Sequence, residues 1–248
     1  MTLSVIVITK NEEKSIRDCL ESIVWADEII VLDSGSTDNT VAICHEYTSK
    51  VFVTDWPGFG TQKNRALEMA TCDWVLSLDA DELVTPELHA EIEAAIADPG
   101  TNVAFKMPRL SSYCGRYMRH SGWWPDYIIR LFRRGKAQFT NDLVHEHLIA
   151  HGAVETLSNP LIHNSFDNLK DVLNKVNSYS SAGARMMYQK QKKATLVSSI
   201  LHGLWAFVHT YILRAGFLDG REGLMLAVSN AEGTYYRYLK LIMMTRGK

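Results

Sequence analysis

Residues 3–33 read LSVIVITKNEEKSIRDCLESIVWADEIIVLD and contain two apolar, β-branched runs, at 3–9 and 28–33. Residues 10–25, which begin directly after the first run, carry apolar side chains at helical spacing: Ile16, Leu20, Ile23 and Val24. A connection of this length suits two parallel strands joined by a crossover helix. The stretch therefore predicts a βαβ unit.

The same alternation continues toward the C-terminus. Residues 49–55 form a short third apolar run, residues 58–72 begin as a glycine loop and take on helical spacing, and residues 73–79 predict a fourth strand. Another helix is expected after Thr85 and Pro86, which suit a helix start. Strands alternating with helices predict an α/β fold whose sheet is covered on both faces.

Beyond about residue 100 the pattern changes twice. Residues 103–165 predict several short strands around a loop rich in aromatic and cationic side chains, and residues from about 168 onward are helical in pattern. We therefore expect an α/β domain at 1–167 and a helical, basic, membrane-associating extension at 168–248.

Composition and charge narrow the class of protein. The chain has 248 residues, 46% of them hydrophobic, and its four cysteines form no CxxC pair, which argues against a structural zinc site and a disulfide framework. No cleavable leader is expected at the N-terminus, so the cytosol is the expected compartment. Residues 1–105 hold 6 Lys and Arg against 19 Asp and Glu, whereas residues 168–248 hold 12 against 4. The two ends of the chain should therefore face different partners.

Aspartates stand where two predicted strands end. Asp33 closes the second strand and Asp79 the fourth, and Asp81 follows in a D-x-D pattern. In an open α/β sheet, ligands bind at the carboxyl ends of the strands. Two carboxylates at this spacing suit Mg²⁺ or Mn²⁺ held between phosphate oxygens. A helix-capping turn before Thr85 is the alternative interpretation of the D-x-D pattern.

Four motifs occur in a fixed order: ITKNE at 8–12, VLDSGSTD at 31–38, GFGTQKNRAL at 58–67 and WVLSLDADE at 74–82. The ordered set resembles the family 2 glycosyltransferases, whose fold, called GT-A, is a Rossmann-like α/β domain with a mixed sheet that binds nucleotide-diphospho-sugars. The resemblance covers about residues 3–165 and implies an inverting, metal-dependent hexosyltransferase.

The resemblance also implies roles for individual residues. The implied donor-binding residues are Thr9, Asn11, Glu12, Asp33, Lys63, Asn64, Arg65 and Asp79. Asp79 and Asp81 would hold the metal on the diphosphate, and His163 would complete the metal shell. A satisfied buried histidine is the alternative for His163, and a solvated helix start is the alternative for residues 63–65.

Within the family, the second half is similar to the bacterial lipopolysaccharide core glucosyltransferases that add a β-linked glucose to the inner-core heptose. The strings that carry this similarity are GWWPDYIIRLFRRGKAQF at 122–139, VHEHL at 144–148, PLIHNSF at 160–166 and RAGFLDGREGL at 214–224. The similarity implies UDP-glucose as the donor and a glycolipid acceptor. A polyprenyl-phosphate or polysaccharide acceptor, or a non-enzymatic sugar-nucleotide scaffold, are the alternatives.

The reaction requires a general base to take the proton of the acceptor hydroxyl. Glu146 in VHEHL occupies the position of the family's base, and Asp126 is the reserve candidate. A structural ion pair between Glu146 and a nearby arginine is the alternative. Trp123, Trp124, Arg116 and Arg119 are the candidate acceptor residues, because sugars stack on indoles and cations pair with phosphate. A hydrophobic anchor is the alternative for the two tryptophans.

Residues 194–213 contain no charged side chain, a length that could cross a bilayer. Polar residues fall on one helical face, apolar residues on another, and Lys190, Lys192, Lys193 and Arg214 flank the stretch. We therefore expect a helix lying in the interface of an anionic membrane, on the cytoplasmic face of the inner membrane. A spanning helix and a plain core or dimer helix are the alternatives. The cations do not form a stripe with an aromatic platform, so nucleic-acid binding is not expected.

Overall fold

The structure, a computed structural model, describes residues 1–140 and 147–246. The chain divides into two compact units. Unit 1 comprises Met1–Arg109 and Asp126–Asn164, and unit 2 comprises Leu110–Pro125 and Ser165–Lys248. The aromatic and cationic loop at 110–125 thus groups with the C-terminal helices. The boundary at residues 167 and 168 stays a prediction.

Unit 1 opens with the expected βαβ pattern, which then repeats. Its first elements are β1 (Leu3–Thr9), α1 (Ile16–Glu21), β2 (Glu28–Asp33), α2 (Thr40–Cys44), β3 (Val51–Val53), α3 (Phe59–Met69), β4 (Trp74–Asp79), β5 (Glu82–Val84) and α4 (Pro86–Ala97). Every residue of β1 and β2 is buried, as expected for parallel strands covered on both faces. Thr85 caps α4 by accepting a hydrogen bond from the Leu88 amide at 3.2 Å, and Pro86 is the first helical residue.

The later elements are mostly strands. They are β6 (Asn102–Tyr113), β7 (Arg116–Tyr117), β8 (Asp126–Arg133), β9 (Ala137–Phe139), β10 (Leu148–Ala150), β11 (Ala153–Thr156) and β12 (Leu161–Phe166). The main sheet has the order β3-β2-β1-β4-β8-β6-β12-β5. β1 pairs in parallel with β2 and β4, whereas β8 pairs antiparallel with β4 and β6. The sheet is therefore mixed, as expected.

Two apolar clusters cover the faces of the sheet in unit 1. One cluster joins alternate residues of β1 and β4 to α1 and α4, and the other joins the intervening residues to α3. The crossover helix α1 is shorter than the periodicity predicts, because residues 12–15 form a turn in which the amides of Ser15 and Ile16 bond to the Glu12 carbonyl. Because of this turn, the residues between β1 and α1 form a loop.

Unit 2 is built around three helices, α5 (Leu169–Gln189), α6 (Leu196–Val208) and α7 (Gly220–Arg246). A π-helical turn at His209–Leu213 extends α6, and a 3₁₀ turn at Gly216–Asp219 leads into α7. α7 packs against both α5 and α6. A small core of Tyr113, Met118, Val172 and Leu226 ties the loop at 110–125 to the helices. The helical C-terminal extension expected from the sequence is confirmed.

Candidate active site

The ends of β1 and β2 bring two predicted donor residues side by side. Thr9 and Asp33 are register partners, and both are buried. The Asp33 carboxylate accepts hydrogen bonds from the amides of Gly35 and Ser36, each at 2.8 Å, and from the Ser36 hydroxyl. The Thr9 hydroxyl has no hydrogen-bond partner within the part of the chain that the structure describes. An unpaired buried hydroxyl is unfavourable, and this one lies beside Asp33 at the strand ends.

The loop after β1 is fastened to the loop after β2. Asn11 has a positive φ of 56°, its amide donates to the Ser36 hydroxyl at 2.8 Å, and its side-chain carbonyl accepts from the Thr37 amide at 2.8 Å. The Glu12 amide donates to the Thr40 hydroxyl at 2.8 Å. The four residues predicted to bind the nucleotide, at 9, 11, 12 and 33, thus lie at the ends of β1 and β2 or in the cross-linked loop after β1.

Asp79, at the end of β4, lies between two cations. Its carboxylate is 2.9 Å from Lys63 Nζ and 2.5 Å from the Arg130 guanidinium. Arg130 also pairs with Glu82 at 2.6 Å, and Glu82 accepts from the Asp79 amide at 3.0 Å. Burial alone would raise the pKa of Asp79, but the charges of Arg130 and Lys63 outweigh burial and hold this pKa well below its usual value. Asp79 is therefore a fixed anion.

Asp81 makes a different contact. Its carboxylate is 3.2 Å from His163 Nε2, and its backbone carbonyl accepts from the Asn164 amide at 2.9 Å. The contact arises because β12 pairs antiparallel with β5, which places His163 opposite Glu82, next to Asp81. The Asp81 side chain is 28% exposed and the His163 side chain 13%, so both remain reachable from solvent.

The Asp81 and His163 pair suits a divalent cation held jointly with a ligand. A carboxylate oxygen and an imidazole nitrogen are donors that Mn²⁺ accepts and Mg²⁺ tolerates less well. Among the described residues, no group of three or more His, Cys, Asp or Glu side chains could hold a metal. Any cation here would take its remaining ligands from water or from phosphate oxygens, as Mg²⁺ commonly does.

Residues 63–65 have separate contacts. Lys63 is buried against Asp79, whereas Arg65 pairs with the exposed Asp55 at 2.7 Å. The Asn64 side chain binds both backbone groups of Phe139, donating to its carbonyl and accepting from its amide, each at 2.9 Å. Lys63 alone of the three contacts the strand-end carboxylates.

Of the two candidate bases, Glu146 lies outside the described residues. Asp126, at the start of β8, accepts two hydrogen bonds from Arg109, at 2.7 and 3.0 Å. Arg109 also lies 3.7 Å from Glu82, so a chain of ion pairs joins Asp126 to Asp79. Sequence reasoning missed the role of Arg130 in this chain. The sequence signal for a buried ion pair was the single arginine inside the apolar run DYIIRLF. Arg130 is only 6% exposed.

The four predicted acceptor residues lie in the loop of unit 2. Trp123 packs on Phe166 and Tyr113 with ring centroids 6.1 and 5.8 Å apart, whereas Trp124 lies beneath the Arg119 guanidinium at 5.4 Å. Arg116 donates to the Leu218 carbonyl at 3.5 Å. Trp123 thus belongs to the small core, and Trp124 with Arg119 forms an aromatic and cationic pair.

A buried carboxylate from the RAGFLDGREGL stretch fixes this loop. Asp219 accepts from the amides of Arg119 and His120 at 3.1 and 3.0 Å, and from the Ser121 hydroxyl at 3.2 Å. The His120 ring nitrogen is 3.1 Å from the same carboxylate. The side chain therefore gathers the polar groups of residues 119–121 around one anion.

Comparison with known proteins identifies the family. The family model for glycosyl transferase family 2 matches residues 4–156. An uncharacterised glycosyltransferase of Rickettsia typhi is 31% identical over 96% of this chain and 86% of its own length. The lipopolysaccharide core biosynthesis glycosyltransferase LpsC of Rhizobium meliloti is 26% identical over 96% of this chain and 93% of its own length.

Solved structures agree on the fold. The crystal structure of S. aureus TarS 1–349 in complex with UDP-GlcNAc superposes with a TM-score of 0.51 and 16% identity, covering 100% of this chain and 93% of that chain. The GT-A fold expected from the motifs is confirmed. The chain belongs to glycosyltransferase family 2.

Proposed function

We propose that the protein transfers glucose from UDP-glucose, with inversion at the anomeric carbon, to a lipid-held glycan, the inner-core heptose of lipopolysaccharide. The observation that carries the proposal is the Asp81 and His163 pair beside Asp79 at the strand ends, in a chain of this family. The similarity to LpsC supports a lipopolysaccharide acceptor.

The donor side of the proposal uses the cross-linked loops of unit 1. The Thr9 hydroxyl would bond the nucleotide, and Asn11, Glu12 and Asp33 would shape the pocket around it. Lys63 and Asp79 would lie beside the diphosphate, with Arg65 and Asn64 farther along α3. The paired charges of Lys63, Asp79 and Arg130 would supply a preorganised polar environment beside the diphosphate.

A divalent cation, Mg²⁺ or Mn²⁺, fits Asp81 and His163, with Asp79 adjacent. Such a cation, when bound, neutralises charge on the departing diphosphate. His163 is held by its contact with Asp81, so the imidazole does not have to be ordered when a ligand arrives.

Glu146 would act as the general base. It takes the proton of the acceptor hydroxyl as that oxygen bonds to the anomeric carbon, and the bond from that carbon to the diphosphate breaks, releasing UDP. Asp126 is the weaker candidate, because its carboxylate is already engaged by two hydrogen bonds from Arg109. Trp124, with Arg119 and Arg116, would contact the acceptor, and Trp123 would support the loop.

The test is transfer by purified protein from UDP-glucose to a heptose-terminated lipopolysaccharide core with Mn²⁺ or Mg²⁺. Glu146→Gln should abolish transfer while UDP-glucose still binds, and the exposed control Glu93→Gln should leave transfer unchanged. Transfer to a polyprenyl phosphate, and not to the heptose acceptor, would support the proposed reaction but contradict the proposed acceptor. If Glu146→Gln transfers at the native rate, the assignment of the base is wrong.

A further inference from the structure

The polarity of α6 and its π-helical extension is reversed compared with a helix of a soluble protein. Apolar side chains of this segment and of the following 3₁₀ turn are between 39% and 66% exposed. We call them the apolar face: Leu196, Val197, Ile200, Leu201, Leu204, Trp205, Val208, Ile212, Leu213, Phe217 and Leu218. The buried positions of the same segment are Ser199, Gly203 and Thr210. Helices in contact with lipid show this pattern, with small and polar residues facing the protein and apolar residues facing outward.

The inward side of the segment packs against α7. A Cβ on Gly203 would lie 3.2 Å from the Ala231 carbonyl and 3.3 Å from the Tyr235 Cβ, so the two helix backbones approach closely. The His202 ring stacks on Tyr238 at 4.2 Å, and the Asn230 side chain donates to the Thr210 hydroxyl at 3.2 Å. The apolar face is thus the side that α7 leaves uncovered.

Cations adjoin both ends of the apolar face. Lys190, Lys192 and Lys193 precede it and are exposed. Near its other end Arg214 is exposed, whereas Arg221 pairs with Glu222. We propose that the apolar face inserts into a lipid bilayer containing anionic lipids, with these cations at the headgroups. A second copy of the chain is a poorer occupant, because both ends are cationic and pairing in either orientation would juxtapose like charges.

The segment lies in the plane of the membrane and does not cross it. Among the described residues, Leu196–Leu213 is the one stretch long and apolar enough to span. However, the contacts of Thr210 with Asn230 and of His202 with Tyr238 show that α7 runs antiparallel beside it. A spanning α6 would carry Glu232 and Arg237, which lie between those two α7 positions, into the hydrocarbon.

This inference goes beyond the proposed reaction, and its test needs neither donor nor acceptor. Purified full-length protein is floated with phosphatidylcholine vesicles containing phosphatidylglycerol. Leu201→Ser and Trp205→Ser should each lower the partition coefficient about tenfold or more, since each removes a large apolar side chain from the interface. Val24→Ser, which removes an equally exposed apolar side chain from unit 1, should leave partition unchanged.

Two further measurements complete the test. Lys192→Gln and Lys193→Gln should each lower partition about fivefold, and Lys14→Gln and Lys136→Gln, which remove exposed lysines of unit 1, should have less effect. Lipids brominated on the acyl chains should quench tryptophan fluorescence, less so in Trp205→Phe. Native partition by Leu201→Ser and Trp205→Ser with unchanged melting temperatures would overturn the proposal. So would a native dimer that these two substitutions convert to monomer without changing vesicle binding.

Discussion

Asp79 and Asp81 are two residues apart, yet their surroundings differ. The negative charge of Asp79 is balanced by Lys63 and Arg130, whereas Asp81 contacts only His163 among the described charged side chains. A carboxylate whose charge is already balanced by two cations binds a third cation weakly. We therefore propose that Asp79 orders the site and that Asp81 contributes more than Asp79 to metal binding.

Arg130 should be the residue on which the ion-pair chain depends. Arg130→Gln leaves Glu82, which is fully buried, without its nearest cation, and we expect a loss of about 3–5 kcal/mol in the free energy of unfolding. Arg133→Gln, which removes an exposed arginine of the same strand, should cost less than about 1 kcal/mol. Urea titration of both variants gives the comparison, and equal losses would contradict the role of Arg130.

Substitution of Asn64 can distinguish a structural role of this residue from the expected donor-binding role. Asn64→Ala leaves the amide and carbonyl of Phe139 without their partner, so we expect a loss of about 2 kcal/mol in stability and little change in KM for UDP-glucose. Gln138→Ala, which changes an exposed residue of β9, is the control for stability. A raised KM at native stability would favour the donor-binding role.

Several site residues could be predicted from the sequence, because a strand's end follows from where its apolar run stops. Asp33 and Asp79 are of this kind. The partners of Asp79 could not be predicted from the sequence. Arg130 is 51 residues away along the chain, and its contact with Asp79 depends on β8 lying beside β4. His163 could be predicted as a site residue only from the family resemblance, because local periodicity does not show that β12 pairs with β5.

At the level of elements, the loop at 119–121 depends on a carboxylate almost 100 residues away. Asp219 is 1% exposed and accepts hydrogen bonds from two amides and a hydroxyl of this loop. Ser121 has a positive φ of 61°, a conformation that a free loop would rarely hold. The stretch around 219 thus positions the loop that carries Arg119 and Trp124.

Asp219→Asn should loosen this loop. An amide at 219 would present a donor toward groups that themselves donate, so we expect the acceptor KM to rise about tenfold while the KM for UDP-glucose stays within twofold. Glu232→Gln, on α7, is the control. Equal increases in both KM values would indicate a general structural defect and contradict the assignment.

Apolar patterns were a good guide to the buried strands of unit 1 and a poorer guide to where the helices begin. The strands of the βαβ region were placed correctly, since both faces are covered and their runs are uninterrupted. The helix after β1 was predicted too long, because residues 12–15 have turn geometry that apolar spacing does not reveal. The period of α6 was visible in the sequence, but which side α7 covers was not.

At the scale of the whole molecule, the charge asymmetry coincides with the two units. The acidic N-terminal part contains the strand-end carboxylates, and the basic C-terminal part contains the apolar face. A basic part suits an anionic surface, and an acidic site suits a cation bound with a diphosphate. The asymmetry was readable from composition alone.

The stability of unit 1 should depend on pH through Glu28, at the opposite end of β2 from Asp33. Burial alone would raise the pKa of Glu28, but hydrogen bonds from Lys50, Ser4 and Thr71 lower it to about 2. Because the folded-state pKa is depressed, the stabilisation is complete above about pH 4.5 and is lost as pH falls toward 2.

Glu28→Gln should therefore lose about 3 kcal/mol of stability at pH 7, and the difference from the native chain should shrink below pH 4.5. Glu68→Gln, which changes an exposed carboxylate of α3, should show a small difference that does not vary with pH. Urea titrations between pH 3 and pH 7 measure both. A Glu28→Gln difference that stays constant over this range would refute the account of Glu28.

The central claim is that Asp81 and His163 bind a sugar nucleotide together with a divalent cation. Isothermal titration of UDP-glucose into native protein, with and without Mn²⁺, tests it most directly. We predict binding that requires Mn²⁺ and weakens at least about tenfold in Asp81→Asn and in His163→Ala, with Glu93→Gln unchanged. Native affinity in Asp81→Asn and His163→Ala, or equal affinity with and without Mn²⁺, would contradict the claim.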